Sequence, residues 1–321
     1  MLAVDTGYGF HIPLGFPTGV YPAPLLEVAD LDQDGFVDVI STYTLGLFES
    51  GFVVVNHGLG DGLFEPAVAV GPFAGSPFIG NPRSMVVGDV DGNGYLDVVL
   101  DSRTTVLNFG TRVYAFVPGA NQQTVIRPTT LADLDGDGDL DLVQAESDQL
   151  NWYRNGGDGL WRSEALVLGE GLATARSIAA ADFDGDADLD IFLTGLAQWG
   201  LFVNDGSGVM TLSTQASGSN LTSPGNVHLV DYDADGDMDA LVPTDSPNGG
   251  VSLFRNGGGG LMEHELLVVG PSGQWVGTAD WNEDGFLDIG VVFGGFRLYL
   301  NDGFGNQVST AIFDVGGGGL T

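Results

Sequence analysis

Six stretches of the chain set acidic side chains at alternate positions and add one more aspartate four residues later. In order they are "DLDQDGFVDVI" (30–40), "DVDGNGYLDVV" (89–99), "DLDGDGDLDLV" (133–143), "DFDGDADLDIF" (182–192), "DYDADGDMDAL" (231–241) and "DWNEDGFLDIG" (280–290). Counted from the first aspartate, position 1 is Asp30, Asp89, Asp133, Asp182, Asp231 and Asp280. Position 3 is Asp32, Asp91, Asp135, Asp184, Asp233 and Asn282, and position 5 is Asp34, Asn93, Asp137, Asp186, Asp235 and Asp284. Position 9 is aspartate every time: Asp38, Asp97, Asp141, Asp190, Asp239 and Asp288. Alternate residues of a tight turn can aim their oxygens at one point, and position 7 can add its carbonyl. An all-oxygen, carboxylate-rich set on a small loop suits Ca²⁺, whereas Mg²⁺ keeps more of its water and Zn²⁺ seeks His or Cys. The expectation is about one calcium per loop, up to six, with the ion turning mutual repulsion into coordination.

A set of solvated acidic turns is the plain competing reading, and six copies with an unvaried position 9 weigh against it. An EF-hand also starts D-x-D-x-D-G, but it needs Glu at position 12 and flanking helices. Position 12 is Ser41, Leu100, Gln144, Leu193, Val242 and Val291, so that reading fails. Position 6 is glycine except at Ala187. If this position requires a positive φ, alanine is disfavoured there and the fourth site is the weakest of the fully acidic ones.

The elements that must hold these loops repeat with them. Loop starts are separated by 59, 44, 49, 49 and 49 residues. Between the loops lies a second signature, an apolar alternating run ending in Asn or Asp before a glycine-rich turn. It reads "FVVVNHGLGDG" (52–62), "LNWYRNGGDG" (150–159), "LFVNDGSG" (201–208), "SLFRNGGGG" (252–260) and "LYLNDGFG" (298–305), with "VYAFVPGANQ" (113–122) as a degenerate copy. Each unit reads as four short strands, for example "SIAAA" (177–181), "LDIFLT" (189–194), "LFVN" (201–204) and "MTLST" (210–214). Helical periodicity is missing throughout. Four strands every 40–50 residues is the period of a propeller blade. The expected fold is an all-β β-propeller of six complete four-stranded blades plus an N-terminal half blade, in a ring of six or seven positions. The expected organisation is a single domain, 1–321: a half-blade hairpin at 1–20, six repeats over 21–314 and a Gly-rich tail at 315–321.

Composition agrees with an ordered, cation-seeking protein. Nine Lys+Arg, all of them arginine, stand against 43 Asp+Glu, for a net charge of −34. Such a field repels nucleic acid and anionic membrane. With 43% hydrophobic and 10% aromatic residues the chain is nonetheless too apolar for an acidic disordered segment. Cysteine is absent, which removes disulfides and thiolate metal sites. The opening "MLAVDTGYGF" has no basic region and does not read as a secretory signal, and no apolar run is long enough to span a membrane.

The pairing of D-x-D-x-D-G-x-x-D loops with N-x-G-x-G hairpins resembles the FG-GAP/VCBS repeats of integrin α-subunit propellers and integrin-like mushroom lectins, most closely over "ARSIAAADFDGDADLDIFL" (175–193). The resemblance implies structural Ca²⁺ in the turn joining the two inner strands of each blade. In the fourth loop its ligands would be Asp182, Asp184, Asp186 and Asp190. It leaves function open, since members serve adhesion, sugar binding and, less often, catalysis.

Beyond calcium, six residues upstream of each loop stand Pro24, Arg83, Arg127, Arg176, Gly225 and Gln274. Arg83, Arg127, Arg176 and Gln274 are candidates for gripping a carboxylate or sulfate; pairing with neighbouring acids is the stronger competing reading. The histidines give little: His57 in a hairpin turn, His11 and His264 on outer strands, His228 on an inner one. The tryptophans read as packing between blades, and "NLT" (220–222) is a glycosylation sequon. No G-x-S-x-G, H-E-x-x-H or Cys nucleophile is present. The functional expectation is an extracellular or cell-surface binding or adhesion module for a carbohydrate or protein ligand, without nucleic acid or membrane insertion. Self-association through the half blade is a further expectation. The alternatives are a propeller-borne polysaccharide lyase or hydrolase, or a structural subunit of a surface assembly.

Overall fold

In the computed structural model the first strand of every repeat runs straight into its acidic loop, and position 9 is the first residue of the strand that leaves it. The structure describes residues 20–45, 51–71, 84–100, 103–119, 128–146, 149–162, 166–170, 175–217, 221, 223–244, 250–269, 275–292, 296–302 and 307–313. The half-blade hairpin at 1–16 and the tail at 315–321 lie outside these residues, as do Arg83, Arg127 and Gln274.

All regular structure among the described residues is strand, in six four-stranded antiparallel sheets with one blade per repeat. The chain is a six-bladed β-propeller of the all-β class. The fourth blade is representative: Ala175–Ala181, Asp190–Gly195, Gln198–Asn204 and Met210–Ser217 pair in sequence order. Its second strand is buried at every residue, as a strand covered on both faces must be. Two further short strands, Gly58–Gly60 and Leu63–Phe64, form a small hairpin in the first repeat.

The residues group into two compact units, Met1–Asp133 with Asp137–Gln144 and Trp152–Leu166, and Leu134–Gly136 with Ala145–Asn151 and Val167–Thr321. Within the first, Leu31, Ile40, Val53 and Val55 pack with Met85, Val98, Leu100 and Val106, joining the first two blades face to face. Within the second, Phe183, Phe192, Trp199 and Leu201 of the fourth blade meet Val242, Phe254 and Met262 of the fifth. Phe254 lies edge-on to Phe192 and Trp199 at centroid distances of 5.0 and 5.1 Å. The apolar core is thus laid down between blades, where aromatics supply large buried area.

Two of the repeat assignments made from sequence need correction. In the second blade the third strand is Thr105–Asn108, and its turn is Asn108–Arg112, not the "VYAFVPGANQ" segment. Tyr114–Val117 is the fourth strand. In the first blade the repeat is offset by two residues. Position 10 pairs with the residue two before the asparagine in the other blades, as Val98 with Val106, Ile191 with Phe202 and Ala240 with Phe254. In the first blade Val39 pairs with Asn56, so Gly58 stands where the other blades have asparagine. A Cβ at Gly58 would run into the Val37 carbonyl and Phe36, so no side chain fits.

Candidate metal centre

The same hydrogen bonds close the acidic loop in all six blades. The position 1 carboxylate accepts the backbone N–H of position 5 through Oδ1, at 3.0–3.2 Å from Asp34, Asn93, Asp137, Asp186, Asp235 and Asp284. Its Oδ2 accepts the N–H of position 6, at 2.8–3.1 Å. Position 5 in turn accepts the N–H of position 7. These bonds wind the chain so that alternate carboxylates converge. Ligand oxygens lie within 4.8 Å of one another for Asp30, Asp32 and Asp34, for Asp89, Asp91 and Asp97, and for Asp182, Asp184 and Asp190.

The winding needs left-handed backbone at two positions. Position 6 has φ of 89, 90, 91, 98 and 93° at its glycines and 79° at Ala187, as expected from the sequence. Position 4 is left-handed too, and there Gln33, Ala234 and Glu283 adopt φ of 58, 59 and 61°. The repeated composition gave no sign of this, because half of the copies carry a side chain.

Position 9 is the buried member of the set. Asp38, Asp97, Asp190, Asp239 and Asp288 are 0% exposed and Asp141 is 1% exposed. In five loops Oδ2 accepts the N–H of position 2, from Leu31, Val90, Phe183, Tyr232 and Trp281 at 2.9–3.0 Å. In the third loop the Asp141 Oδ2 accepts the Trp152 indole N–H at 2.6 Å. The other oxygen accepts the backbone N–H of Asn108, Asn155, Asn204, Asn256 or Asn301, and of Gly58 in the first blade. Burial pushes the carboxyls of Asp97, Asp190 and Asp239 up to about 6, although backbone donors pull the other way. Each carboxylate oxygen has two lone pairs, so one backbone bond leaves capacity for a cation.

The asparagine that ends the third strand carries only a turn signal in the sequence, yet it joins blades. Its Nδ2 donates to the position 2 carbonyl of the preceding blade: Asn108 to Leu31, Asn155 to Val90, Asn204 to Leu134, Asn256 to Phe183 and Asn301 to Tyr232, at 2.6–3.3 Å. In four of these blades it also reaches the position 8 carbonyl of its own loop. One side chain therefore ties two acidic loops together.

Position 3 lies against the turn of the following blade. A Cβ on Gly159 would sit 3.6 Å from the Asp91 Cβ, and one on Gly260 would sit 3.6 Å from the Asp184 Cβ. Arg112 holds that turn position in the second blade, with φ of 64°. From there its Nε donates to Asp32 Oδ2 at 2.8 Å, and Nη1 to Glu65 at 2.6 Å. In the fifth blade Arg255, one residue before Asn256, pairs with Asp233 and with Glu265. Asp32 Oδ1 and Asp233 Oδ1 remain buried without a hydrogen-bond partner. Buried carboxylate oxygens without a hydrogen-bond partner are ligand atoms that suit a hard divalent cation.

The remaining candidates are less gathered. Arg176 is exposed on the first strand of its blade. His228 and His264 make side-chain contacts with Thr278 and Ser252 at 3.0 and 3.1 Å, and His264 stacks on Phe254. Trp275 is 52% exposed. A hollow lined by Glu27, Val87, Leu96 and Leu131 holds one acid, whose carboxyl burial raises. His57 lies at the end of the third strand of the first blade, buried beside the loop and not in an open turn.

Comparison with known proteins agrees with this architecture. A family model described as FG-GAP-like repeat matches residues 30–100, 133–193 and 188–242. No match was found among curated proteins. Among solved structures, an Agrocybe aegerita lectin that recognises non-reducing terminal N-acetylglucosamine is similar at TM-score 0.66 and 20% identity, over 90% of this chain and 79% of that one. A putative 6-phosphogluconolactonase from Bacteroides uniformis follows at TM-score 0.57 and 12% identity, over 89% and 84%. The Vibrio cholerae biofilm matrix protein Bap1 has TM-score 0.50 and 16% identity, over 81% of this chain and 40% of that one. At these identities the likeness shows the fold.

Proposed function

The chain belongs to the FG-GAP-like repeat family, and on that premise we propose that it is a calcium-stabilised binding module for carbohydrate or protein ligands, working outside cells. The observation that carries the calcium reading is the sixfold repetition of one loop geometry. A buried position 9 carboxylate and two backbone-tied carboxylates recur in loops whose sequences otherwise differ. Turns kept only for solubility have no reason to bury an acid six times, because burying an unpaired charge is costly. The residues that would hold the ion are positions 1, 3, 5 and 9. Calcium there supplies counter-charge and fixes the loop from which the second strand departs.

Extracellular calcium is near millimolar, which fills sites of modest affinity. That, with the strongly acidic surface, supports a location outside cells. Carbohydrate is placed first among ligand classes because of the similarity to the Agrocybe lectin. The test is a glycan array probed with the intact chain in calcium and in chelator, led by glycans ending in N-acetylglucosamine. Binding that needs calcium is the expected result. A calcium-loaded, folded protein that binds no glycan would remove carbohydrate and leave protein as the ligand class.

A further inference from the structure

We propose that His57, Asp32 and Asp38 form a metal site in the first blade selective for a nitrogen-accepting divalent ion of the zinc class. His57 is 1% exposed, and neither of its ring nitrogens has a hydrogen-bond partner. Its Nδ1 faces two carboxylate oxygens, Asp32 Oδ2 at 3.4 Å and Asp38 Oδ2 at 3.2 Å. These three residues are a group whose ligand atoms all lie within 4.8 Å of one another.

The separations carry the assignment. Ligands at about 2.0–2.1 Å from a tetrahedral ion lie roughly 3.3 Å from one another. That is the spacing found here from Nδ1 to each of the two oxygens, between atoms not aligned for a hydrogen bond. Imidazole with two carboxylates is a three-ligand set that suits zinc and its neighbours and leaves one position open, whereas Ca²⁺ takes oxygen. The neighbours complete the site. Arg112 Nε holds Asp32 Oδ2 from outside, and the backbone N–H groups of Leu31 and Gly58 fix the two oxygens of Asp38. Outer partners of this kind orient metal ligands.

The site is particular to the first blade. By register the residues matching His57 are Leu107, Arg154, Val203, Arg255 and Leu300, none of them a metal ligand. The two-residue offset that puts Gly58 in the asparagine position is what brings a histidine beneath the loop. Asp32 and Asp38 are positions 3 and 9 of the first loop, so there the nitrogen-accepting ion takes the place of calcium, and the calcium reading is left to the other five loops.

The experiment is zinc titration of the intact chain in saturating calcium, comparing wild type with His57→Leu, a side chain that two other blades carry at this position. One equivalent of Zn²⁺ should bind the wild type despite the calcium, and the variant should bind it more than about 1,000-fold more weakly, beyond the 10–100-fold that outer-shell changes produce. In the wild type alone, Co²⁺ should give the intense visible bands of a low-coordinate nitrogen-containing site, and the ¹⁵N resonance of His57 Nδ1 should shift on Zn²⁺ addition. These two readouts decide the matter if the variant does not fold. Zinc binding that calcium displaces, or that His57→Leu leaves unchanged, would overturn the assignment. A chelator melt without added zinc tests the calcium reading separately, so the two can fail independently.

Discussion

At the scale of single residues, each acidic loop turns on its sixth position, where the backbone is left-handed. Ala187 holds that position in the fourth loop. Its φ of 79° matches the glycines at the same place, and a Cβ at those glycines would meet nothing within 4 Å. Its penalty is therefore backbone strain alone. Ala187→Gly should stabilise the calcium-loaded protein by about 0.5–1 kcal/mol, the left-handed penalty less glycine's entropy, and tighten the fourth site in a calcium titration. Asp190→Ala should abolish that site, since it removes a buried carboxylate braced by Phe183 and Asn204. The arginine partners were not legible: Arg112 and Asp32 are 80 residues apart, and nothing local announces their contact.

The contacts of His228, on a first strand, and His264, on a fourth, give a pH expectation. Burial lowers the pKa of His228 and His264 below the ordinary 6.5. Their neutral forms are favoured in the fold, so this stability is present above pH 6.5 and is lost as pH falls towards the folded values. NMR titration should show both imidazoles titrating below 6.5, and His228→Gln with His264→Gln should flatten the fall in melting temperature between pH 7 and 5. Ordinary titration of both rings would contradict it.

At the scale of elements, strand order and blade count follow from repeat spacing, while register does not. The first blade contains both "NHGLG" and "GLGDG", and spacing alone cannot choose between them; the pairing of Val39 with Asn56 does. The second blade hid its turn because Thr111 and Arg112 take left-handed conformations usually given to glycine. The asparagine bridge was hidden for a related reason, since its acceptor is a backbone carbonyl of another blade. Asn204 donates to Leu134 and Leu189 and accepts from Gly208. Asn204→Ala takes the amide donor from the buried Leu134 carbonyl, at about 1–3 kcal/mol. Denaturant unfolding should show a loss in that range, with faster amide exchange in both the third and fourth acidic loops. A change confined to the fourth loop would mean the bridge does not couple them.

At the scale of the whole molecule, the proposed calcium reading predicts that a chain with a net charge of −34 and six converging acidic loops depends on divalent cations for stability. Chelation should lower the melting temperature by at least about 5 °C, on the order of 2 kcal/mol at this size. Calcium should restore it, and Mg²⁺ poorly, because the loops offer more protein oxygens than its octahedral shell accepts. Scanning calorimetry in calcium, magnesium and chelator measures this directly. A melting temperature that ignores chelation would leave the aspartates as hydrogen-bonded turns.

The bridge from each asparagine to the loop before it has one more consequence. It gives a blade a donor end and an acceptor end, like a monomer in a head-to-tail polymer. The second to sixth blades carry both ends, so any of them can follow any other with its bond satisfied. The first blade, with Gly58 in place of the donor and no room to add one, carries only the acceptor. In a shuffled or duplicated array it is a part that can begin a series of blades but cannot be inserted within one.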